Sequence, residues 1–157
     1  MTVDKLDSNK LEYLYRSNVA RKLDNVSEEF HRRLRDKLLE RGYAGLKLSF
    51  HTVLSNMVFT GTRLVDIAEI NGMTKQTIGQ IANEIEELGY IQRIPDPHDG
   101  RAKNLVFTER GEQLIHDSIA MVGEVEAEFA HMIGEEKILQ LGALLAELSD
   151  KITATDD

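Results

Sequence analysis

Along the first 41 residues, apolar side chains recur at Leu11, Leu14 and Tyr15, Val19, Leu23, Val26, Phe30, Leu34 and Leu38, with neither Gly nor Pro between them. Steps of three and four place them on one helical face, and Gly42 and Gly45 mark the stop. A straight helix over residues 9–41 would run on the order of 50 Å. That is longer than a compact domain of this size is wide, so the pattern predicts a kink or an extension across a partner chain. Ser49 then reads as the N-cap of a short helix bearing Phe50, Val53, Leu54 and Met57. Two helices follow in close succession. The first presents Leu64, Ile67, Ala68 and Ile70 and stops at Asn71–Gly72. The second starts from Thr74 as N-cap, buries Ile78, Ile81, Ala82, Ile85 and Leu88, and stops at Gly89. A connection of about three residues fits a helix-turn-helix corner.

The period changes after Gly89. Ile91–Ile94 reads as extended, and Lys103, Leu105 and Phe107 alternate with Ala102, Asn104 and Val106 at period two. These runs flank Pro95–Arg101, which holds both prolines of the chain. Proline cannot donate to a ladder, so the pattern predicts a β-hairpin with the prolines at its stiff tip. Thr108 caps a long helix carrying Leu114, Ile115, Ile119, Val122, Val125, Phe129 and Ile133, and Gly134 breaks it. A last helix spaces Ile138, Leu141, Leu145, Leu148 and Ile152 as a seam for another helix. The expected fold is mainly α with a small β-hairpin wing: a winged helix-turn-helix lobe at 46–108, within one domain of 157 residues.

In a winged helix-turn-helix, the second helix enters the major groove of duplex DNA and the wing lies alongside. Lys75, Gln76, Thr77, Gln80 and Asn83 lie off its buried face around Gly79 and, with Thr74, are the candidate reading surface. Arg101, past the proline-stiffened turn, is placed to enter a narrow groove of strong negative potential. Asp99 reads as the brace that orients it, and Lys103 and Arg63 as further phosphate contacts. Gln80 suits a bidentate adenine contact.

Net charge is −8, which at face value opposes phosphate binding. Its distribution removes that objection. Residues 1–45 carry 10 basic and 8 acidic groups, 46–111 carry 7 and 8, and 112–157 carry 2 and 11. The acid is concentrated in the last third, leaving a near-neutral face for a polyanion. Cysteine is absent, which excludes disulfides, thiolate catalysis and Cys-ligated metal. No leader-like or spanning apolar run is present, so a cytoplasmic, non-membrane protein is expected.

No catalytic constellation stands out. His116–Asp117–Ser118 are consecutive helical residues about 100° apart, which cannot face one another as a triad. The five histidines lack metal-ligand spacing. His51 reads as a surface or core residue, with a phosphate contact or a pocket wall as the sharper alternatives.

Residues 64–111, "LVDIAEINGMTKQTIGQIANEIEELGYIQRIPDPHDGRAKNLVFTERG", resemble the core of the MarR (multiple antibiotic resistance regulator) family. The likeness rests on Leu64–Asp66–Ile67–Ala68, Met73–Thr74–Lys75, Leu88–Gly89–Tyr90–Ile91, Asp96–Pro97–x–Asp99–x–Arg101, and Phe107–Thr108–x–x–Gly111. The resemblance implies a non-enzymatic homodimer, with 1–45 and 109–157 as intertwined dimerisation helices and two wings flanking one DNA site. It implies repression from a pseudo-palindromic operator, relieved by a small aromatic or anionic ligand bound between the lobes, with no obligatory cofactor. Phe30, Tyr43, Phe50 and Met57 are candidate walls for that ligand. Two positions depart from the family pattern: Gln80 stands where an Arg is common, and Val65 where a Ser or Thr caps the helix. The acidic balance and Gln80 support an alternative, a winged-helix protein-interaction module that has lost DNA binding.

Overall fold

The computed structural model describes residues 7–97, 99 and 102–154. Asn18 breaks the long N-terminal pattern into α1 (Ser8–Ser17) and α2 (Val19–Glu40). Its backbone is extended, its amide nitrogen donates to the Tyr15 carbonyl at 2.8 Å, and its amide oxygen accepts from the Arg21 N–H at 2.8 Å. One side chain thus closes the first helix and caps the second, which locates the kink that length alone demands.

The next segment corrects the expectation for Ser49. A 3₁₀ turn, Leu48–Phe50, runs directly into α3 (His51–Leu54), so Ser49 lies inside the turn and caps nothing. Winding starts early because Phe50, 2% exposed, is drawn into the core while its N–H bonds the Lys47 carbonyl at 3.1 Å. β1 (Thr62–Arg63) precedes α4 (Leu64–Ile70), and α5 (Lys75–Glu87) follows the corner. Arg63 occupies the N-cap position of α4 without a side-chain cap, which leaves Val65 within the first turn. The Thr62 hydroxyl instead accepts from the Val58 N–H at 2.9 Å.

β2 (Ile91–Pro95) and β3 (Lys103–Phe107) form the expected hairpin, and β1 adds a third strand in the order β1-β3-β2, all antiparallel. The register pairs Ile91 with Phe107, Ile94 with Asn104 and Pro95 with Lys103 on one side, and Thr62 with Leu105 on the other. A two-residue strand has no period to read, so alternation along the chain could not announce it. α6 (Glu109–Ile133) starts at a Thr108 cap, whose hydroxyl accepts from the Gly111 N–H at 3.1 Å, and Gly134 separates it from α7 (Glu135–Thr153).

One core joins the head to the helical arm. Phe50, Val53, Ile67, Ile78, Ile85, Tyr90, Ile91 and Leu105 are buried together with Leu114 and Met121 of α6. Tyr90 is the joint: fully buried, it donates its hydroxyl to the Ala44 carbonyl at 3.2 Å, and its own carbonyl accepts from the Thr108 N–H at 3.1 Å. Arg110 lays its guanidinium 4.7 Å from the ring centroid. At Gly111 a Cβ would stand 1.8 Å from the Tyr90 carbonyl oxygen, so the wing and α6 approach as closely as they do only because residue 111 has no side chain.

α2 is tied to α6 by charge as well as packing. Glu128 accepts from Arg33 and pairs with Lys37, both at 2.8 Å, and Glu29 receives Arg32 and Arg33 at 2.7 Å. Tyr43 donates its hydroxyl to Asp117 at 2.5 Å. Burial first, and then Asp117, push the Tyr43 phenol up to about 12. Ser118 donates to the Leu114 carbonyl and His116 is largely exposed, so the His116–Asp117–Ser118 run is structural.

Gly111→Ala is expected to cost about 3 kcal/mol or more in chemical unfolding, because rigid backbone opposes the new methyl group. Acid should loosen the arm. The Arg32 and Arg33 hydrogen bonds hold Glu29 at about 2, below its ordinary 4.5, and Lys37 and Arg33 lower Glu128 in the same direction. Glu29 is depressed, so its contribution is complete above about 4.5 and is lost as pH falls toward about 2, and the lowered Glu128 acts in the same direction. Amide exchange in α2 should accelerate through that window, and more steeply at low salt than at high salt.

Candidate nucleic-acid interface

α4 ends because Gly72 adopts φ +59°, and Met73 N–H returns to the Ala68 carbonyl at 2.9 Å. Asn71 locks the corner by donating to the Ile67 carbonyl at 2.7 Å. Thr74 then caps α5: its hydroxyl oxygen accepts from the Thr77 N–H at 3.1 Å and lies 2.8 Å from the Thr77 hydroxyl. Ile78, Ala82 and Ile85 are fully buried, which fixes the rotation of the helix. Lys75, Gln76, Gln80 and Asn83 are exposed as a result, with Thr77 partly covered. A methyl group at Gly79 would meet only Leu64, at an ordinary 3.8 Å, so nothing among the described residues requires glycine there.

The wing side chains are organised differently from the sequence expectation. Arg63 donates its Nε to Asp96 Oδ2 at 2.7 Å, and the Asp96 side chain is only 4% exposed. Asp96 Oδ1 accepts from the Asp99 N–H at 3.1 Å, while Asp96 N–H and Ala102 N–H bond the carbonyls of Ala102 and Asp99. A buried carboxylate therefore closes the tip, and Arg63 braces the wing from β1. Arg101 lies outside the described residues with His98 and Gly100, and the expected Asp99–Arg101 brace with it. Lys103 is exposed on β3 opposite Pro95.

Sequence reasoning missed two further residues. Arg93, on β2, pairs with Glu86 of α5 and donates to Asn83 Oδ1 at 2.8 Å. Arginine only donates, so the Asn83 amide must turn its oxygen to Arg93 and its NH₂ away. The only sequence signal for this contact was opposite charge at residues 86 and 93, and helix-to-strand pairs have no fixed spacing. Asp96 was more legible, lying between the two prolines.

Where the arm meets the head, a cavity of about 350 Å³ opens among α2, α3 and α6. Its walls are mostly Leu, Ile, Phe and Met; Phe50 and Met57 line it, whereas Phe30 and Tyr43 do not. Phe30 instead packs edge-on against Phe129 at 5.7 Å.

Residues 44–102, which hold the corner, α5 and most of the wing, match the MarR family model. The chain is similar in structure to a transcriptional regulator of Thermotoga maritima, with 25% identity, a TM-score of 0.58, and 87% of this chain and 94% of that one covered. The reduced form of MarR from E. coli aligns at 18% identity and TM-score 0.72, covering 83% and 96%. CouR from Rhodococcus jostii RHA1, bound to p-coumaroyl-CoA, aligns at 23% identity and TM-score 0.63, covering 83% and 91%. The winged lobe is thus matched in sequence by the MarR family model over residues 44–102, and the chain as a whole is similar in fold to winged-helix transcriptional regulators.

Proposed function

We propose that the protein is a homodimeric DNA-binding repressor of a pseudo-palindromic operator, relieved by a small ligand. The observation that carries this reading is the outward polar face of α5, rotated into place by a buried apolar face and flanked by a braced wing. Lys75 stands at the exposed start of α5, where a phosphate would approach, with Gln76 and Gln80 one helical turn apart for base edges. Asn83, its oxygen held by Arg93, offers an NH₂ donor to an acceptor on a base. Arg101 and Lys103 carry the wing's charge to the backbone, and Arg63 acts through Asp96 rather than on phosphate.

The dimer is supported by apolar surface that one chain leaves uncovered. Leu139, Leu144 and Leu148 of α7 are 73%, 65% and 50% exposed, and Leu11 and Leu14 of α1 are about half exposed. Exposed apolar area of this kind is the mark of an interface. We assign residues 1–45 and 109–157 to it, with 46–108 as the reading lobe. The ligand reading is supported by the cavity between arm and head. The Rhodococcus relative holds an aromatic acyl-CoA. A ligand seated between the lobes would shift the population toward dimers whose heads no longer match half-sites about one turn apart. The second reading, a protein-interaction module without DNA binding, draws support from the internal pairing of Arg63 and Arg93.

Repeated selection from a random duplex library should enrich an inverted repeat, and Arg101→Ala should weaken binding to it by about 1–3 kcal/mol without dissociating the dimer. A stable dimer that enriches no sequence would support the interaction module instead. Asp96→Ala leaves every proposed DNA contact in place but removes the carboxylate that closes the tip. It should lower operator affinity about tenfold, as the loss of a charged hydrogen bond would, with helical content unchanged by circular dichroism.

A further inference from the structure

α5 carries its exposed amides as a stripe. Gln76, Gln80 and Asn83 stand four and three residues apart, so they share one face within about 60°. They differ in what they can offer a base. Gln76 and Gln80 hold no side-chain hydrogen bond among the described residues, so each can turn oxygen and NH₂ together to one adenine. Asn83 is held. Arg93 Nη2 donates to its Oδ1 at 2.8 Å, and a guanidinium has no acceptor, so the oxygen and not the NH₂ faces the wing. Arg93 is itself fixed twice. Its Nη1 donates to Glu86 Oε2 and its backbone N–H to Glu86 Oε1 at 3.1 Å, so one carboxylate takes both the side chain and the main chain of that β2 residue. Glu86 lies three residues beyond Asn83 on α5, and the planar fork lets one guanidinium serve both. The Arg93 side chain is 22% exposed, whereas Asn83 is open to solvent and its NH₂ has no partner among the described residues.

We propose that Arg93 is a specificity-determining positioning residue: by holding the Asn83 oxygen it leaves only the NH₂ for a base edge, and so makes Asn83 a reader of guanine rather than of adenine. This deepens the proposal that α5 enters the major groove, on which it rests. Both N–H bonds of one NH₂ can go to the neighbouring acceptors O6 and N7 of guanine. The same edge of adenine presents one acceptor, N7, beside the N6 donor, and the amide oxygen is the match for that donor. To meet adenine on both atoms, Asn83 would have to turn its oxygen off a charged donor and leave a largely covered guanidinium one acceptor short. Adenine therefore forgoes its second hydrogen bond or gains it at the expense of the clamp, and guanine does neither. Cytosine presents only a donor there and is excluded. Arg93 itself touches no base; it acts through Asn83.

The test is repeated selection from a random duplex library with the full-length protein and its variants, read as base preference at each position of the enriched site rather than as affinity. Asn83→Ala locates the position, where preference at one base pair in each half-site should be lost. There the unaltered protein should prefer guanine over adenine by about tenfold, and Arg93→Met should reverse that order. Arg93→Lys keeps a charge for Glu86 but not the fork that reaches two residues. It should shift the preference the same way, with unchanged thermal unfolding to show that the fold survives. A guanine preference that persists in Arg93→Lys would overturn the proposal and leave DNA binding standing. So would adenine already preferred by the unaltered protein, or an even loss of affinity with preferences unchanged, which a merely structural role would give. If the unaltered protein enriches no sequence, the DNA-binding reading falls and this proposal falls with it.

Discussion

The carbonyl of Tyr90 lies so near the first turn of α6 that a single methyl group at residue 111 would overlap it. Around that contact the molecule is assembled. Tyr90 follows α5, begins the wing, anchors the loop after α2 through its hydroxyl, and accepts the amide that starts α6. The angle between winged lobe and arm is thereby set by backbone against backbone, with a fully buried aromatic ring filling the space beneath. Side-chain packing can slide by rotamer changes; a carbonyl against a helix cannot, and the relative placement of α5 and the arm inherits that stiffness.

The wing repeats this logic on a smaller scale. Buried carboxylates are costly unless paired and hydrogen-bonded, and Asp96 meets both conditions, with Arg63 on one oxygen and the Asp99 amide on the other. The cation, itself partly exposed, thereby holds the loop from the neighbouring strand. Arg93 plays a comparable part beneath α5, where Glu86 and Asn83 share its guanidinium. Two positive charges of the winged lobe are therefore held in internal pairs.

Between the Tyr90 joint and the wing on one side and the arm on the other lies the cavity. It is bounded by the arm on one side and by the 3₁₀ turn and α3 on the other, joined by His31 and His51, whose Nε2 atoms lie 3.0 Å apart. α3 has only four residues. Its buried Val53, with Phe50 of the preceding turn, fixes it to the core that supports α5.

The chain announced by itself whatever depends on local period and local caps. Thr74, Gly89, Thr108 and Gly134 each mark a helix end that the structure keeps, because capping and positive φ are properties of a few adjacent residues. The outward set Lys75, Gln76, Gln80 and Asn83 was legible for the same reason: burying Ile78, Ala82 and Ile85 leaves no other face. Tertiary structure alone decided the rest. The strand Thr62–Arg63 exists only because β3 offers it an edge, and Arg63 changed partner because Asp96, 33 residues away, lies across the sheet from it. Gly111 looked like a family signature and proved to be the space into which a distant carbonyl fits. His31 and His51, 20 residues apart on different helices, have no spacing rule that could pair them. Contacts between elements depend on where whole helices and strands come to rest, and that is fixed by the sum of the packing rather than by any stretch that can be read along the chain.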